Sequence, residues 1–417
     1  MIARAEFDAY SAAADEIAAG AERDVRDAVL AWCRENPDAT VAEKREAAKL
    51  IMEGVVQSYD EMAASLAADW YDYRAECEGA RLERAIAATV YDPDSIDRIA
   101  RYQAGKLIGG DDAGFADACG EFARNDAMRG LNETVGANAG RDKGRGVRFA
   151  RIPTGYETCT FCIMLASRGA AYTSREAAGE FKHYHRRCDC KVVPGHSDDP
   201  FAELVEGVRP NELHSLWKEM ESIDGDPALD GAHRLALKQR CVNLYRARSN
   251  PSTAYRAENL DLSRLRPGEL KRMRKKNPLE WESYVEISKM GYDQILLHER
   301  GDAAANIDVL LKLGGDWRYW DVKTLEGGAG ALRKRMTECY SKWARLAEDG
   351  AVVPDDVDVS KIDSPRAIVD NRYSKITDAE AASQIEESMA YLSGTGEFEF
   401  AQAMLIRKDG AVDVLGK

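Results

Sequence analysis

At 417 residues the chain is too long for one compact core, so two or three domains are expected. Its 45% hydrophobic and 31% charged content excludes a disordered chain, and no apolar run reaches the roughly 18 residues of a transmembrane helix. A formal net charge of −14 argues against wrapping of nucleic acid by the whole molecule but leaves room for a local basic groove.

The start, MIARAEFDAYSAAADE, lacks the basic head and apolar core of a secretory signal, so synthesis and function without a membrane partner are expected. Residues 1–145 read as helical, with abundant alanine and apolar residues at three and four spacing. Asn36-Pro37-Asp38 ends the first helix, and Thr40 with Glu43 forms a capping box for a second that runs to Cys77. Ser95 is the expected cap of a third helix, and a further helix is expected over Phe115 to Thr134. Long amphipathic helices of this kind suit a bundle or an arm that docks on a larger assembly.

The texture changes over 146–200, where short strand-like runs surround CTFCIMLASRGAAYTSREAAGEFKHYHRRCDC. Nine cysteines, an odd number, argue against a disulfide framework, yet four of them fall within about 30 residues. Cys159 and Cys162 form a CxxC, followed by His185, Cys188 and Cys190, with His183 adjacent. Thiolate and imidazole at this spacing suit tetrahedral structural zinc, held by four of those five residues. Residues 201–269 are turn-rich with helical pieces and read as a helical segment and linker, ending in the basic run RLRPGELKRMRKKN. That run reads as a solvated helix face, a local nucleic-acid contact or an exposed joint.

Residues 270–417 read as α-β-β-β-α-β-α-β-β, an α/β layer arrangement with a mixed central sheet. Within it, NIDVLLKLGGDWRYWDVKT places Asp308 on one strand and Asp321 with Lys323 on the next, Asp321 and Lys323 sharing a face. Carboxylates flanked by Ile307, Val309, Trp320 and Val322 are costly unless they serve a partner or a metal. Two carboxylates on neighbouring strands suit Mg²⁺ or a similar hard cation, and a lysine beside them can orient a water or stabilise developing charge. This is a PD-(D/E)xK-like nuclease pattern, with Asp308, Asp321 and Lys323 catalytic and Glu282 on the preceding helix as the fourth member; Glu280 and Glu286 are its rivals. Thr324, Arg333, Lys334 and Arg335 are candidate contacts to substrate phosphates, and His298 is a candidate local acid or base that more naturally serves structure.

Two resemblances follow. TCTFCIMLASRG, then a histidine and CDC before KVVP, resembles the Mu-type head morphogenesis (minor head) proteins of tailed phages, over about 1–200. This implies attachment to portal and head proteins in a virion. GYDQILLHE, IDVLL and WDVKT resemble the C-terminal nuclease domains of contact-dependent inhibition and related polymorphic toxins. Those mostly cleave tRNA, which implies an RNA substrate acted on in a recipient cytoplasm and a cognate immunity protein. Ile307-Asp308 replaces the commoner Pro-Asp, and Asp321-Val322-Lys323 the commoner Glu-x-Lys. The combined expectation is a phage minor capsid protein carrying a metal-dependent nuclease toxin. The alternatives are a structural head-assembly protein with an inactive C-terminal domain, and an enzyme unrelated to virions.

Overall fold

The computed structural model describes residues 1–154, 158–173, 190–195, 199–249, 259–297, 308–313, 315–349, 364–396 and 398–416. The chain forms two compact units, Met1–Trp217 and Lys218–Lys417. The first is mostly helical and the second is built on a mixed sheet.

The first unit is led by α1 (Arg4–Glu35), α2 (Val41–Cys77), α3 (Pro93–Gln103), the short α4 (Gly105–Ile108) and α5 (Asp112–Arg141). The Thr40–Glu43 capping box forms as expected and starts α2. Asp92, not Ser95, caps α3: its carboxylate accepts the Asp94 N–H, and the Ser95 hydroxyl is spent on that same carboxylate. α5 extends a full turn or more beyond the expected helix at its C-terminal end, and Asp111 caps its start through the Gly114 N–H at 2.8 Å. Small residues let α1, α2 and α5 lie close. Ala18, Ala21, Ala64, Ala67 and Ala123 are fully buried. At Gly120 an added Cβ would stand 2.5 Å from the Glu22 carbonyl oxygen, so that contact requires glycine.

Between α2 and α3 the chain is extended, and side chains of α2 and α5 hold its backbone. The Ile86 N–H and C=O are both taken by the Asn138 amide at 2.9 and 2.8 Å. Thr134 Oγ1 accepts the Ala88 N–H at 3.0 Å, and Asp60 Oδ2 accepts those of Val90 and Tyr91 at 2.7 and 2.9 Å. Arg129 donates to the Val90 carbonyl at 2.7 Å. Asn138, Thr134 and Asp60 are all buried, so each is a polar group whose burial is offset by a backbone partner. Further on, β1 (Arg148–Ile152) pairs antiparallel with β2 (Lys191–Gly195), and α6 (Thr160–Ala166) lies between them in sequence. The boundary between the units falls within α7 (Pro210–Gly225).

The second unit contains α8 (Gly231–Ser249), β3 (Leu260–Asp261), α9 (Glu269–Lys276), α10 (Pro278–Lys289), β4 (Gln294–Leu296), β5 (Val309–Leu313), β6 (Asp316–Thr324), α11 (Ala329–Asp349), β7 (Arg366–Asp370), α12 (Asp378–Thr395), β8 (Gln402–Ile406) and β9 (Val412–Gly416). From α10 onward this is the element order expected from sequence. The seven strands line up as β3-β4-β5-β6-β7-β8-β9. β4, β5 and β6 are antiparallel, β6, β7 and β8 parallel, and β9 returns antiparallel. Alternate residues feed two cores. Leu310, Tyr319, Ala367 and Val369 pack with Met336, Cys339 and Trp343 of α11. Val309, Trp320, Val322 and Ile368 pack with Trp281, Tyr284 and Val285 of α10.

Past the C-terminal ends of β7 and β8 lies a buried polar knot. The Ser283 hydroxyl donates to Asp370 Oδ2 at 2.7 Å, Arg372 bridges Asp370 and Glu286, and Lys408 Nζ donates to the Ser374 carbonyl at 2.7 Å. Burial pushes the Lys408 ammonium down from 10.5 to about 8, against the pull of Asp378.

Two expectations follow from these contacts. Asn138→Ala removes both backbone partners of Ile86 and should cost about 1–3 kcal/mol in denaturant unfolding. It should also open the 80–91 segment to limited proteolysis, and an unchanged cleavage pattern there would contradict the clamp. Lys408 loses its proton near pH 8 in the folded state and near its ordinary value when unfolded. Stability should therefore rise between about pH 8 and 10, by up to about 3 kcal/mol. Subtracting the Lys408→Met profile should remove that rise, and parallel profiles would show that burial does not tune this lysine.

Candidate active site

The β5–β6 ladder sets the register that matters. Val309 pairs with Trp320, so Asp308, one step outward, comes beside Asp321. Asp308 Oδ2 accepts the Val322 N–H at 2.8 Å, which fixes the carboxylate against the neighbouring strand. Asp321 is wholly buried and, like Tyr319, points to the α11 side of the sheet. Lys323 shares that face, and its Nζ lies 2.5 Å from Asp321 Oδ2 as an ion contact.

A residue that the sequence reading did not single out completes the group. Lys342, on α11, donates from Nζ to Asp308 Oδ1 at 3.1 Å and also to Asp321 Oδ1. The available signal was its place on the helix: Cys339 and Trp343, three before and one after, are both fully buried, so this lysine borders the apolar face.

The charges sort themselves by environment. Burial first, then the adjacent Asp321 carboxylate, pushes Asp308 well above the usual carboxylate range, against the pull of Lys342 and Lys323. Burial also works against ionisation of Asp321, but Lys342 and Lys323 outweigh it and hold that acid low. Burial lowers Lys342, and the two carboxylates more than reverse this, so it stays charged. The two acids therefore differ in how firmly the site holds their charge: the lysines favour the carboxylate at Asp321, whereas burial and that neighbour oppose it at Asp308.

Asp308, Lys323 and Thr324 open onto a cleft of about 450 Å³ that Arg248, Lys276, Glu280 and Arg335 also line. Of the four residues expected to contact substrate, Thr324 and Arg335 line this cleft. Arg333 and Lys334 do not line it; they border a separate groove along α11 with Thr337, Ser341 and Arg345. Glu282 is absent from the cleft lining as well. Two positions along a helix are about 200° apart, so Glu280 and Glu282 cannot face the same way. Glu280 accepts the Tyr284 hydroxyl at 2.9 Å and borders the cleft. Glu282 lies by the polar knot, where after burial it joins Asp370 in pushing up the Tyr373 hydroxyl. Glu286 pairs with Arg372 at 2.8 Å. Of the three helix acids, the structure brings Glu280 to the cleft.

Among the described residues no group of three or more His, Cys, Asp or Glu is placed to hold a metal ion. Two carboxylates are nonetheless what a magnesium-like cation commonly takes from protein, with water and substrate phosphate completing its octahedron. The donor set at Asp308 and Asp321 is all oxygen, which fits a hard cation.

In the first unit Cys159, Cys162 and Cys190 pack together. Cys159 caps α6 by accepting the Cys162 N–H, and the two Sγ atoms are 3.5 Å apart. The buried Arg151 guanidinium donates to Cys190 Sγ at 2.7 and 3.3 Å, a placement suited to a thiolate. His185 and Cys188, with His183 and His298, lie outside the described residues. No helix among the described residues is long and apolar enough to cross a membrane.

Comparison with known proteins bears on the first unit most directly. The family model described as VG15 protein matches residues 1–220. The Gene 15 protein of Mycobacterium phage L5 is 35% identical over 11% of this chain and 28% of its own length. That of Mycobacterium phage D29 is 29% identical over 16% of this chain and 35% of its own. The chain thus spans about a third or less of either relative. The solved CdiA-CT/CdiI toxin and immunity complex from Burkholderia pseudomallei is 17% identical, covering 36% of this chain and 85% of that one. Its TM-score is 0.22, too slight a likeness to carry an argument.

If the acid pair is the heart of this group, Asp308→Asn should leave Asp321 with two lysines and no carboxylate neighbour. Lys342→Ala should leave two buried acids facing each other and destabilise the protein by about 3 kcal/mol or more. Denaturant midpoints should rank Lys342→Ala well below Asp308→Asn; the reverse order would contradict the assigned charges.

Proposed function

We propose, on the premise that the chain belongs to the VG15 protein family and so is a phage protein, that its second unit is a metal-dependent nuclease carried by a minor capsid protein. The observation that carries this reading is the meeting of Asp308, Asp321 and Lys323 at the edge of a cleft lined by Arg248, Lys276 and Arg335.

Asp308 and Asp321 would hold a magnesium-like ion, which when bound supplies Lewis-acid polarisation of the phosphate and a more acidic water. The chain's own residues do the rest. Arg248, Lys276 and Arg335 attract the phosphodiester backbone into the cleft and fix it as point and forked cations. Thr324 offers a hydroxyl donor to a phosphate oxygen, and Lys323 stabilises negative charge that develops at phosphorus. Glu280, at the rim, can accept a proton from a water on the cleft side. RNA, with tRNA favoured, is the substrate we assign, and an immunity protein covering the cleft is the matching partner.

The first unit would be the vehicle, attached to portal and head proteins in the virion, with the nuclease acting in the cytoplasm of the recipient cell. Residues 146–200 would be a small module tied by structural zinc on four of Cys159, Cys162, His185, Cys188 and Cys190. Arg151 fits this, since a guanidinium on Cys190 favours the thiolate that zinc needs.

Purified full-length chain with Mg²⁺ should cleave tRNA or bulk RNA in preference to DNA, and Asp321→Asn or Lys323→Ala should lower the rate by about a hundredfold or more. Absence of cleavage of every nucleic acid by the wild type would overturn the nuclease and favour an assembly protein with an inactive second unit. Elemental analysis of the same preparation should give near-stoichiometric zinc, lost in Cys162→Ser; a zinc-free wild type would sink the zinc module.

A further inference from the structure

We propose that Lys342 is a built-in cation of the acid pair: its ammonium stands between Asp308 and Asp321, where a divalent cation would be held, and loading the metal requires it to leave. The proposal deepens the nuclease reading and takes from it only the identity of the site.

The geometry is the first argument. Lys342 Nζ reaches one oxygen of each carboxylate, 3.1 Å from Asp308 Oδ1 and in direct contact with Asp321 Oδ1. A point bridging two carboxylates on adjacent strands is the point a hard cation takes. Lys323 does not compete for it, because its ammonium sits on the other oxygen, Asp321 Oδ2.

The direction of approach is the second. Lys323 lines the cleft, whereas Lys342 is not among the residues that do. It comes from α11, on the face of the sheet to which Asp321 also points, and reaches the acids from behind the cleft lining. A cation that enters past Asp308 and bridges the two carboxylates would therefore have to take the place of the ammonium. The stem is a flexible four-carbon chain, so the charge can withdraw without moving the helix. α11 itself is held by the fully buried Cys339 and Trp343 beside it.

Charge accounting is the third. Two carboxylates can balance two ammonium groups, so the buried site is neutralised without metal and the fold does not depend on one. Adding a divalent cation while keeping both lysines would leave excess positive charge in a buried place, which is costly. Exchange of Lys342 for the ion keeps the balance closer to neutral. Metal affinity is then set by a competition inside the protein.

The test uses the full-length chain and Mn²⁺ alone, without nucleic acid, following the free-ion signal by electron paramagnetic resonance. Lys342→Met keeps the length and apolar stem of the side chain and should bind Mn²⁺ about tenfold tighter or more. Equal or weaker binding than wild type would overturn the proposal. A second measurement needs no variant. In the wild type, acetylation of Lys342 read by mass spectrometry should be suppressed without metal and rise severalfold when millimolar Mg²⁺ is added, while that of the buried Lys408 stays constant. No change at Lys342 on adding Mg²⁺ would equally overturn it. The two readings fail separately: metal exchange can hold in a protein that cuts nothing, and cleavage can persist in one whose Lys342 never yields.

Discussion

Two carboxylates cannot be buried side by side unless cations come with them, and the second unit is arranged around that constraint. Asp321 is wholly buried and Asp308 is pinned by a backbone amide of the next strand. The antiparallel ladder of β5 and β6 creates the proximity, and nothing on that ladder but Lys323 relieves it. The remaining charge must come from outside the sheet. α11 provides it through Lys342 while its apolar face covers Leu310, Tyr319 and Val369. One helix thus closes a core and neutralises a site. A shift of α11 by a single turn would keep much of the first role and lose the second.

The first unit solves a different backbone problem with related means. An extended segment laid on helices has no ladder to join, because helical amides are already paired. Here Asn138, Thr134, Asp60 and Arg129 stand in for a neighbouring strand. The Asn138 amide reproduces a peptide group, donor and acceptor together. Asn138, Thr134 and Asp60 each gain a backbone partner in this way, and the connection to α3 is fixed without becoming a strand or a helix. Alanine-rich contacts among α1, α2 and α5 keep these helices close enough for such short side chains to reach.

Much of this was legible in the sequence and some was not, for physical reasons. Capping chemistry is local, so the start of α2 could be read at Thr40 and Glu43. Ser95 misled because Asp92, three residues earlier, offers the better acceptor to the same amides. The pairing of Asp308 with Asp321 could be read because strand alternation and a short turn determine which residues meet. Glu280 and Glu282 could not be told apart, since that choice depends on the rotation of α10 against the sheet. Trp281 and Tyr284, burying themselves in the core, decide it. Lys342 was hidden because a lysine in an amphipathic helix reads as solvated until the partner sheet is known. The extended segment was hidden for a similar reason: Asn138 lies 52 residues from Ile86.

The distribution of positive charge joins these points. The chain carries a net charge of −14, yet its cleft draws Arg248 from α8, Lys276 from the end of α9, Lys323 from β6 and Arg335 from α11. The most basic stretch of sequence supplies only Lys276 of these. Within that stretch Arg274 lies over the Trp281 ring, 4.4 Å from its centre, and so anchors α9 to α10. Basic residues clustered in sequence can thus serve packing, while those that line a surface are scattered and assembled by topology. In a molecule of net negative charge, such a cluster of cations sets a local field opposite in sign to the whole.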